Sequence, residues 1–529
     1  MASLSDRTNK EIEMRKHLYK NSGKCDEYKR KRAEDTVTLR KGKRDAMLMK
    51  RRNILIEEED TNDGEIKLTQ NLSLAENELL DIANELKDPN ISEDRLYQIY
   101  RGIRVILSQN AQAPIEKLLS LGLLDTLVKA LHCNNNKIIY EAAWAITNIA
   151  SGTQEQTKAV VDAGVLPQLL KFLGNKKSST ELVEQCIWAL ANIVVDSQMY
   201  RDTTIKMGLL KILGDYIGRL QELPITLIRN IAWLFLNLSR HKNSKIPDEL
   251  FSNCVKYLTT LLKFNDLITR NDALWSMSYL INGITDERLN KYFKSQIIMH
   301  EMLSFLGSND NCLILGALRV IGSFARGNDS MCEFIISAGI FKQVIPYLLK
   351  SKAYDTEIHY YCIWILSNIM AGPEGHINTI LSCNIMPLIF KSISSSLSKI
   401  KVECSWFLNN FVHGCSRHQI KEIIKCGGLP IICEELKYPN NDYIYNLLEC
   451  IFEILEACST CFPEKLEKIK FTIEECGALE TLEELQYNQN EKIAKLCEKI
   501  IVDFFQQDDE FNMDCDCEEQ FVPSSKIEI

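Results

Sequence analysis

At 529 residues, the chain is long enough for several ordinary domains or for one extended array of repeats. Hydrophobic residues make up 46% and charged residues 25%, which predicts a mostly ordered chain, and only 12 prolines and 23 glycines argue against a β-rich fold. The start of the chain, MASLSDRTNK, lacks the apolar core of a signal peptide. The sequence also contains no run of about 18 apolar residues, so a membrane span is not predicted.

The amino-terminal segment carries an excess of positive charge. Residues 1–53 contain 17 Lys and Arg against 8 Asp and Glu, whereas the rest of the chain holds 45 against 63. Basic clusters lie at Lys29–Arg32, Arg40–Arg44 and Lys50–Arg52, separated by spacers that can be helical. Such an arm predicts an acidic partner, which the acidic body of the same chain could also supply. A general nucleic-acid-binding or solubilising tail is the alternative.

Composition divides the chain into four predicted segments. A basic arm at 1–54 is followed by a linker at 55–74, in which Ile56–Asp63 (IEEEDTND) is acidic and expected to be flexible. A repeat domain is predicted at 75–507. The acidic, polar residues 508–529 are expected to form a disordered tail.

The six tryptophans of the chain mark an internal repeat. Each lies in a similar apolar segment, from EAAWAITNIA to ECSWFLNNFV, at Trp144, Trp188, Trp233, Trp275, Trp364 and Trp406. The segment GALRVIGSFA keeps the phase with Arg319 in the tryptophan position, so the spacings are 44, 45, 42, 44, 45 and 42 residues. A period this steady, without strand-like alternation, predicts two- or three-helix repeats of the armadillo or HEAT class.

A second recurring marker is a glycine or asparagine that precedes an apolar run. AGVLPQLLKFL, AGIFKQVIPYLL, CNIMPLIF, CGGLPIICEEL and CGALETLEEL share this pattern. The small residue is predicted to end one helix with a sharp turn before the next begins. Further repeats around Leu96–Ser108, Tyr443–Cys458 and Leu479–Phe505 bring the estimate to about ten, stacked around one continuous core with a long groove.

Five tryptophans are followed four residues later by an asparagine, which places both side chains on one helix face. The pairs are Trp144/Asn148, Trp188/Asn192, Trp233/Asn237, Trp364/Asn368 and Trp406/Asn410. A ladder of carboxamides can hold an extended peptide by its backbone. Indole walls accept aliphatic stems and attract cationic heads, by about 0.5–2 kcal/mol each. A single pair would favour a core Trp and a surface Asn, but five copies at one phase reverse this and favour a binding face.

The other reactive residues predict no catalytic, cofactor or metal site. The 19 cysteines are scattered through apolar segments, as expected of reduced thiols in a cytosolic or nuclear protein. Cys458-x-x-Cys461 and Cys515-Asp-Cys517 lack the partner pair of a zinc site. The 8 histidines do not cluster, and GxxxxGK[ST], HExxH and GxSxG motifs are absent, so an enzyme is not predicted.

From about residue 10 to residue 507, these motifs resemble the importin-α (karyopherin-α) family. The resemblance implies an all-α fold, a right-handed superhelical α-solenoid of about ten armadillo repeats. It implies a major peptide site with the backbone carbonyl of Gly152, the Thr157 hydroxyl and the Asp196 carboxylate as a lysine pocket. The remaining implied residues of this site are Trp144, Asn148, Gln185, Trp188, Asn192, Asn230, Trp233 and Asn237.

The resemblance also implies a minor peptide site on repeats six to eight. Its implied residues are Arg319, Trp364, Asn368, Glu403, Trp406 and Asn410. Three positions depart from the family pattern: Ser323 replaces an asparagine, Tyr361 a glutamate and Asn282 an aspartate. A weakened or altered minor site is therefore expected, while Trp275 and Tyr279 keep the repeat-five pattern that bridges the two sites.

The resemblance further assigns a function to the basic arm, including LRKGKRD and the closing KRRN. Residues about 11–44 are implied to become helical when bound by importin-β. The residues assigned to this contact are Arg15, Lys29, Arg30, Lys31, Arg32, Leu39, Arg40, Lys41, Lys43 and Arg44. Lys50, Arg51 and Arg52 resemble a ligand of the groove, so the arm is expected to inhibit cargo binding until importin-β removes it.

The function implied is a nuclear-import adaptor that shuttles between cytoplasm and nucleus and binds basic localisation signals of cargo. An exportin acting with Ran is expected to contact the last repeats, roughly Glu449–Cys476. Membrane and direct nucleic-acid binding are not predicted. The alternative is a catenin-like armadillo scaffold for other partners, although such a scaffold is expected to line its groove with Lys and Arg rather than with Trp–Asn pairs.

Overall fold

The computed structural model describes residues 72–108, 113–241, 246–349, 356–394 and 398–506, which form helices and no β-strand. This confirms the predicted all-α class. The predicted arm contacts from Arg15 to Arg44, the cluster Lys50–Arg52 and the acidic tail lie outside the described residues. Helix α1 begins at Leu72, within the segment predicted as linker. The predicted segment boundaries remain predictions.

Helices recur in sets of two short members and one longer third member. Two helices, α1 (Leu72–Glu85) and α2 (Glu93–Ser108), precede the first complete set. The sets that follow are α3 (Ile115–Ser120), α4 (Leu123–Ala130) and α5 (Asn136–Ala150); α6 (Gln154–Asp162), α7 (Val165–Gly174) and α8 (Thr180–Asp196); α9 (Gln198–Lys206), α10 (Leu209–Ile217) and α11 (Ile225–Ser239), with a 3-10 turn at Leu220–Glu222. Then come α12 (Asp248–Lys263) and α13 (Leu267–Ile281); α14 (Asp286–Phe293), α15 (Gln296–Leu306) and α16 (Asn311–Ala325).

The chain divides into two compact units, one up to Ile365 and one from Leu366 onward. The N-terminal unit also includes α17 (Asp329–Ser337), α18 (Ile340–Leu349) and the start of α19 (Thr356–Met370). The C-terminal unit contains the end of α19 and the helices α20 (Glu374–Ser382), α21 (Met386–Ile393), α22 (Ser398–Gly414), α23 (Lys421–Lys425), α24 (Gly428–Glu435), α25 (Asn441–Cys461), α26 (Pro463–Glu475), α27 (Ala478–Leu485) and α28 (Glu491–Phe504).

Side-chain caps define where many of these helices begin. Asn135 accepts hydrogen bonds from the first backbone N–H groups of α5, and Ser179 caps α8 in the same way. Thr153 and Gln156 form a reciprocal capping box at α6. Each cap satisfies N–H groups that have no partner within the helix, and is worth about 1 kcal/mol.

The predicted glycine and asparagine turns are confirmed. Gly164, Gly339, Gly427 and Gly477 adopt positive φ angles of 79°, 85°, 66° and 66° between the first and second helices of their sets. Asn384 takes the same role at φ 52°. Left-handed backbone is unstrained for glycine and tolerated by asparagine, which explains why these two residue types mark the repeat.

The third helices form the centre of each unit. In α5, α8 and α16 nearly every residue after the first turn is buried, so these helices are apolar on all sides. Consecutive third helices pack against one another from α2 through α5, α8, α11 and α13 to α16, and from α22 through α25 to α28. Among the described helices, none alone has the length and hydrophobicity to cross a membrane, although α17 and α18 together meet that criterion across a 77° bend.

Candidate functional site

All six tryptophans lie on third helices. The indoles of Trp188 and Trp233 contact each other on α8 and α11, with ring centroids 5.5 Å apart. Trp144 and Trp188 are each only 7% exposed, so an edge rather than a full face reaches the surface. Trp233 and Trp275 are half-buried. Trp144, Trp188, Trp233 and Trp275 lie on the consecutive third helices α5, α8, α11 and α13, and these four residues are called the tryptophan row below.

The asparagines of the WxxxN pairs tie consecutive third helices together. Asn192 Nδ2 donates to the Thr147 carbonyl at 3.2 Å, and Asn237 Nδ2 donates to the Ala191 carbonyl at 3.2 Å. Both acceptors lie three residues after the tryptophan of the preceding repeat. The NH₂ end of each of these two amides therefore holds the preceding repeat, and their predicted contact with a ligand remains a prediction.

The oxygen ends of two of these amides have no such partner. Oδ1 of Asn148 and Oδ1 of Asn192 are buried and accept no hydrogen bond from the described residues, although the two side chains are 2% and 1% exposed. Asn230, one turn before Trp233, likewise has a buried Nδ2 group without an acceptor there. Buried polar atoms without partners are rare in folded proteins. Their recurrence here marks where a ligand backbone could bind.

The predicted lysine pocket begins at the turn between α5 and α6. At Gly152 a Cβ atom would lie 1.9 Å from Gln156 Oε1, so a side chain there would displace the capping glutamine. Thr157 is fully buried, and its hydroxyl donates to the Ala150 carbonyl at 3.1 Å. Its proton is therefore used within the turn, and the predicted role of its oxygen in the lysine pocket remains a prediction. Asp196, half-buried, ends α8 one repeat further on.

Gln185, one turn before Trp188, is half-buried, and its backbone carbonyl accepts from Thr147 Oγ1 at 3.3 Å. This bond links α8 to α5 at the level of the tryptophan row. Gln185, Trp188 and Asn192 therefore lie on one stretch of α8, where Gln185 and Asn192 contact the preceding repeat and Trp188 contacts the following one.

Repeat six of the N-terminal unit departs from the Trp–Asn pattern. The Arg319 guanidinium lies 4.1 Å from the Trp275 ring centroid and 5.2 Å from that of Tyr279, and Arg319 Nε donates to Ser278 Oγ. Ser323 Oγ donates to the Arg319 carbonyl at 2.9 Å. The hydroxyl proton of Ser323 is thus used within its own helix and does not replace the amide found elsewhere.

Trp364, also in the N-terminal unit, packs closely against Tyr361 and Gly322. The Tyr361 ring packs edge-on against it at 5.7 Å. A Cβ atom at Gly322 would lie 2.2 Å from the Trp364 ring, so the helix can approach the indole only because residue 322 is glycine. The position at which the family pattern usually has a glutamate thus holds the buried ring of Tyr361.

In the C-terminal unit, the remaining predicted minor-site residues lie on α19 and α22. Asn410 Nδ2 donates to the Ser367 carbonyl at 3.0 Å, which repeats the bond made by Asn192 and Asn237. Trp406 is half-buried, Asn368 is 1% exposed and Glu403 is 7% exposed. The helix-to-helix amide bond therefore recurs in both units.

Comparisons with known proteins decide the family. Residues 15–100 match the profile of the importin beta binding domain, residues 111–151 and 153–195 match the armadillo/beta-catenin-like repeat, and residues 467–519 match the atypical Arm repeat. Importin subunit alpha-2 of Caenorhabditis elegans is 34% identical over 495 residues, covering 93% of this chain and 92% of that protein. The chain belongs to the importin-α family.

Other comparisons agree with that membership. Importin subunit alpha-1a of Oryza sativa subsp. japonica is 28% identical over 524 residues and covers 96% of this chain. An engineered protein of known structure has the same fold, with a TM-score of 0.68 at 22% identity over 81% of this chain. The predicted armadillo solenoid is confirmed. As an importin-α family member, the chain is a nuclear-import adaptor, and the catenin-like alternative is not needed.

Two residues of this importin-α family member that sequence reasoning missed lie on α2. Arg104 and Ser108 stand 40 residues before Trp144 and Asn148 and occupy the corresponding positions of the first repeat. Arg104 pairs with the buried Glu141 at 2.8 Å and lies 4.7 Å from the Trp144 ring centroid, while Ser108 accepts from Asn148 Nδ2. The 40-residue offset was the available signal.

Three potential metal ligands lie close together in the described part of this importin-α family member. His413, Glu449 and Glu453 place potential metal ligands within 4.8 Å of one another there, and His413 Nε2 already lies 2.9 Å from Glu449 Oε2. No disulfide joins the described cysteines. Burial raises the pKa of Cys254 to about 12, which keeps that thiol protonated. The prediction of no metal site remains a prediction.

Proposed function

We propose that this importin-α family member binds extended Lys- and Arg-rich cargo peptides along the tryptophan row of its N-terminal unit. The observation that carries the proposal is the contact between the Trp188 and Trp233 indoles, flanked on the same helices by the carboxamides of Asn192 and Asn237. Aliphatic stems lie against the indole edges, and cationic heads gain about 0.5–2 kcal/mol from each ring.

The buried oxygens of Asn148 and Asn192 supply the acceptors for the peptide backbone. Each side chain is held by its NH₂ end, so its oxygen is fixed in position before a ligand arrives. Packed helices lie about 8–10 Å apart, which matches roughly three residues of extended chain. A peptide that crosses the row can therefore present one backbone N–H to each third helix. Fixed acceptors lower the entropy cost of binding.

The Asp196 carboxylate and the carbonyl oxygens near Gly152 give the site its preference for lysine. Gly152 is exposed and Asp196 is half-buried, so both lie where an ammonium group can approach. An ion pair that is partly withdrawn from water is stronger than one on the open surface, because screening is reduced. This pair of groups makes the site selective for cations over other extended peptides.

The amino-terminal arm links this cargo site to importin-β. The profile match at residues 15–100 supports importin-β binding. The residues assigned to the contact, Arg15 to Arg44, follow from the basic clusters of the sequence. The adaptor is proposed to shuttle between cytoplasm and nucleus and to return with an exportin and Ran bound near Glu449–Cys476.

Reversing the charge of Asp196 tests the peptide site. In the full chain, Asp196→Lys is expected to weaken binding of a labelled PKKKRKV peptide roughly tenfold or more, because a cation replaces the carboxylate. Asp215→Lys is the matched control, since Asp215 is exposed on α10. Fluorescence anisotropy measures both affinities. Equal affinities for the two variants would contradict the assignment of the pocket.

A further inference from the structure

Asn148 differs from the next two WxxxN asparagines in the kind of group that holds its amide. Asn192 and Asn237 each donate from Nδ2 to a backbone carbonyl of the preceding third helix, at 3.2 Å. Asn148 donates instead to a side chain, the hydroxyl of Ser108 at the end of α2, at 3.0 Å. Ser108 is 6% exposed and Asn148 is 2% exposed, so the bond is closed off from solvent.

The chemistry of the acceptor decides whether such an amide can turn over. A carbonyl oxygen only accepts, so reversing the Asn192 amide would place Oδ1 against the Thr147 carbonyl oxygen and lose the bond. A hydroxyl both accepts and donates. When the Asn148 amide is reversed, Ser108 Oγ–H can donate to Asn148 Oδ1, and the pair keeps one hydrogen bond.

The hydroxyl proton of Ser108 is available for this reversal. Ser108 Oγ accepts from Asn148 and donates to no acceptor among the described residues. A second asparagine held by a serine, in the C-terminal unit, gives the contrast. Asn446 Nδ2 donates to Ser405 Oγ at 3.1 Å, but Ser405 Oγ donates to the Val402 carbonyl at 2.8 Å. That proton is used, so Asn446 is held in one orientation.

The other end of the Asn148 carboxamide faces the proposed peptide site. Its Oδ1 atom is buried and accepts no hydrogen bond within the described part of the chain. In the observed orientation the amide therefore offers an acceptor for a peptide N–H, and in the reversed orientation it offers a donor for a peptide carbonyl. An extended peptide presents both groups at every residue except proline, which has no backbone N–H.

We propose that Ser108 is a positioning residue that lets Asn148 bind either backbone group of the cargo peptide, whereas Asn192 and Asn237 keep one orientation. The inference rests on the proposed function, because it concerns the same peptide backbone. The site then accepts proline, or any residue without a backbone N–H, in register with Asn148 but not in register with Asn192. Ser108 thereby widens the range of sequences that bind at the α5 end of the tryptophan row.

An amide-to-ester scan of a labelled PKKKRKV peptide tests this proposal in the full chain. Each ester peptide lacks one backbone N–H and nearly keeps its shape, and fluorescence anisotropy measures its affinity for wild type, Asn192→Ala and Asn148→Ala. One hydrogen bond corresponds to about twofold to tenfold in affinity. One ester is expected to weaken wild type by that factor and to have no effect in Asn192→Ala. No ester is expected to lose its effect in Asn148→Ala, although this variant binds the all-amide peptide about twofold to tenfold more weakly.

Variants of Ser108 test the positioning role. Ser108→Ala is expected to weaken the all-amide peptide about threefold, because the NH₂ group of Asn148 loses its partner. Ser108→Thr keeps the hydroxyl and is expected to restore the wild-type affinity. Ser405→Ala is the matched control, since it removes the hydroxyl that holds Asn446 outside the tryptophan row and should leave peptide affinity unchanged. Thermal unfolding of all three variants separates a loss of stability from a loss of affinity.

Three results would overturn the inference. The first is an ester whose cost disappears in Asn148→Ala, because Asn148 would then accept from one fixed N–H. The second is an Asn148→Ala or Ser108→Ala variant that binds the all-amide peptide as tightly as wild type. The third is a loss of affinity in Ser108→Ala that Ser108→Thr does not restore, which would assign Ser108 to packing alone. Failure of the proposed function is distinguishable, because no ester would then be coupled to Asn192→Ala either.

Discussion

The two ends of the Asn192 carboxamide meet different requirements. The NH₂ group closes a bond to the Thr147 carbonyl, whereas the oxygen is buried without a partner among the described residues. Losing a neutral hydrogen bond typically costs about 0.5–1.5 kcal/mol, and a buried acceptor left unpaired costs about 1–3 kcal/mol. A peptide N–H that reached this oxygen would remove the second penalty, so under the proposed function we expect Asn192 to contribute to affinity as well as to folding.

Asn192→Ala is expected to lower both stability and peptide affinity. The stability loss should be about 1 kcal/mol, from the lost helix-to-helix bond, and the affinity loss about fivefold to twentyfold. Asn446→Ala is the matched control, because buried Asn446 donates to Ser405 Oγ at 3.1 Å outside the tryptophan row. Urea unfolding and anisotropy measure the two effects. If Asn192→Ala destabilised the chain without weakening peptide binding, the amide would be purely structural.

The spacing of the Trp–Asn pairs in the sequence predicted that they share a helix face, but not which groups of neighbouring repeats the asparagines contact. A Trp and an Asn four residues apart lie together on any helix, so the pairing at Trp188 and Asn192 could be read directly. The Thr147 carbonyl, however, lies 45 residues away and comes within reach only through the packing of α5 on α8. The same limit applies to Arg104, whose partner Glu141 belongs to the next repeat.

At the scale of elements, α13 begins with a cap that also joins it to the neighbouring third helix. Asp266 Oδ2 accepts from the Thr269 backbone N–H at 2.9 Å, while Asp266 Oδ1 lies 2.7 Å from Arg229 Nη2 on α11. Burial alone would raise the pKa of Asp266, but the hydrogen bonds from Arg229 and Thr269 outweigh it and lower the pKa to about 2. One carboxylate therefore caps one helix and ties it to another.

Asp266→Asn is expected to destabilise the chain at neutral pH, and this loss of stability relative to wild type is expected to be smaller in acid. Asparagine is also a good cap, so the variant removes the charge and keeps the cap. The expected loss in the free energy of unfolding is below about 1 kcal/mol, because Arg229 is partly exposed. A lowered pKa contributes stability that is complete above about pH 4 and lost as the pH falls toward 2. Urea midpoints at pH 6 and pH 3 measure this. A difference from wild type that does not change with pH would contradict the ion-pair interpretation.

Turn chemistry made the elements more predictable than their contacts. Glycine and asparagine at positive φ, and Ser, Thr, Asn or Asp at helix starts, act locally, so Gly427 and Asn384 marked helix ends that the structure confirms. The cap at Asp266 belongs to the same class. Its bond to Arg229, 37 residues earlier, depends on how two repeats pack, so the residues around Asp266 in the sequence did not predict it.

At the scale of the whole molecule, charge is divided between a basic amino-terminal segment and an acidic remainder. Seventeen Lys and Arg fall within residues 1–53, in a chain whose net charge is −9. We propose that this basic segment, tethered to a site for basic peptides, competes with cargo at an effective concentration near a millimolar. If it binds the site with a dissociation constant of about 0.1 mM, the site is free about a tenth of the time, and cargo affinity falls by about that factor.

Replacing Lys50, Arg51 and Arg52 together by alanine in the full chain is therefore expected to raise affinity for a labelled PKKKRKV peptide about tenfold. Replacing Lys29, Arg30 and Lys31 removes the same charge from a cluster assigned to importin-β and should leave the affinity near the wild-type value. Added importin-β is expected to bring the wild type up to the affinity of the first variant, because it withdraws the arm from the groove. If both triple variants bound the peptide as the wild type does, the arm would not act as an internal competitor. If both gained affinity equally, the effect would come from net charge rather than from the KRR sequence.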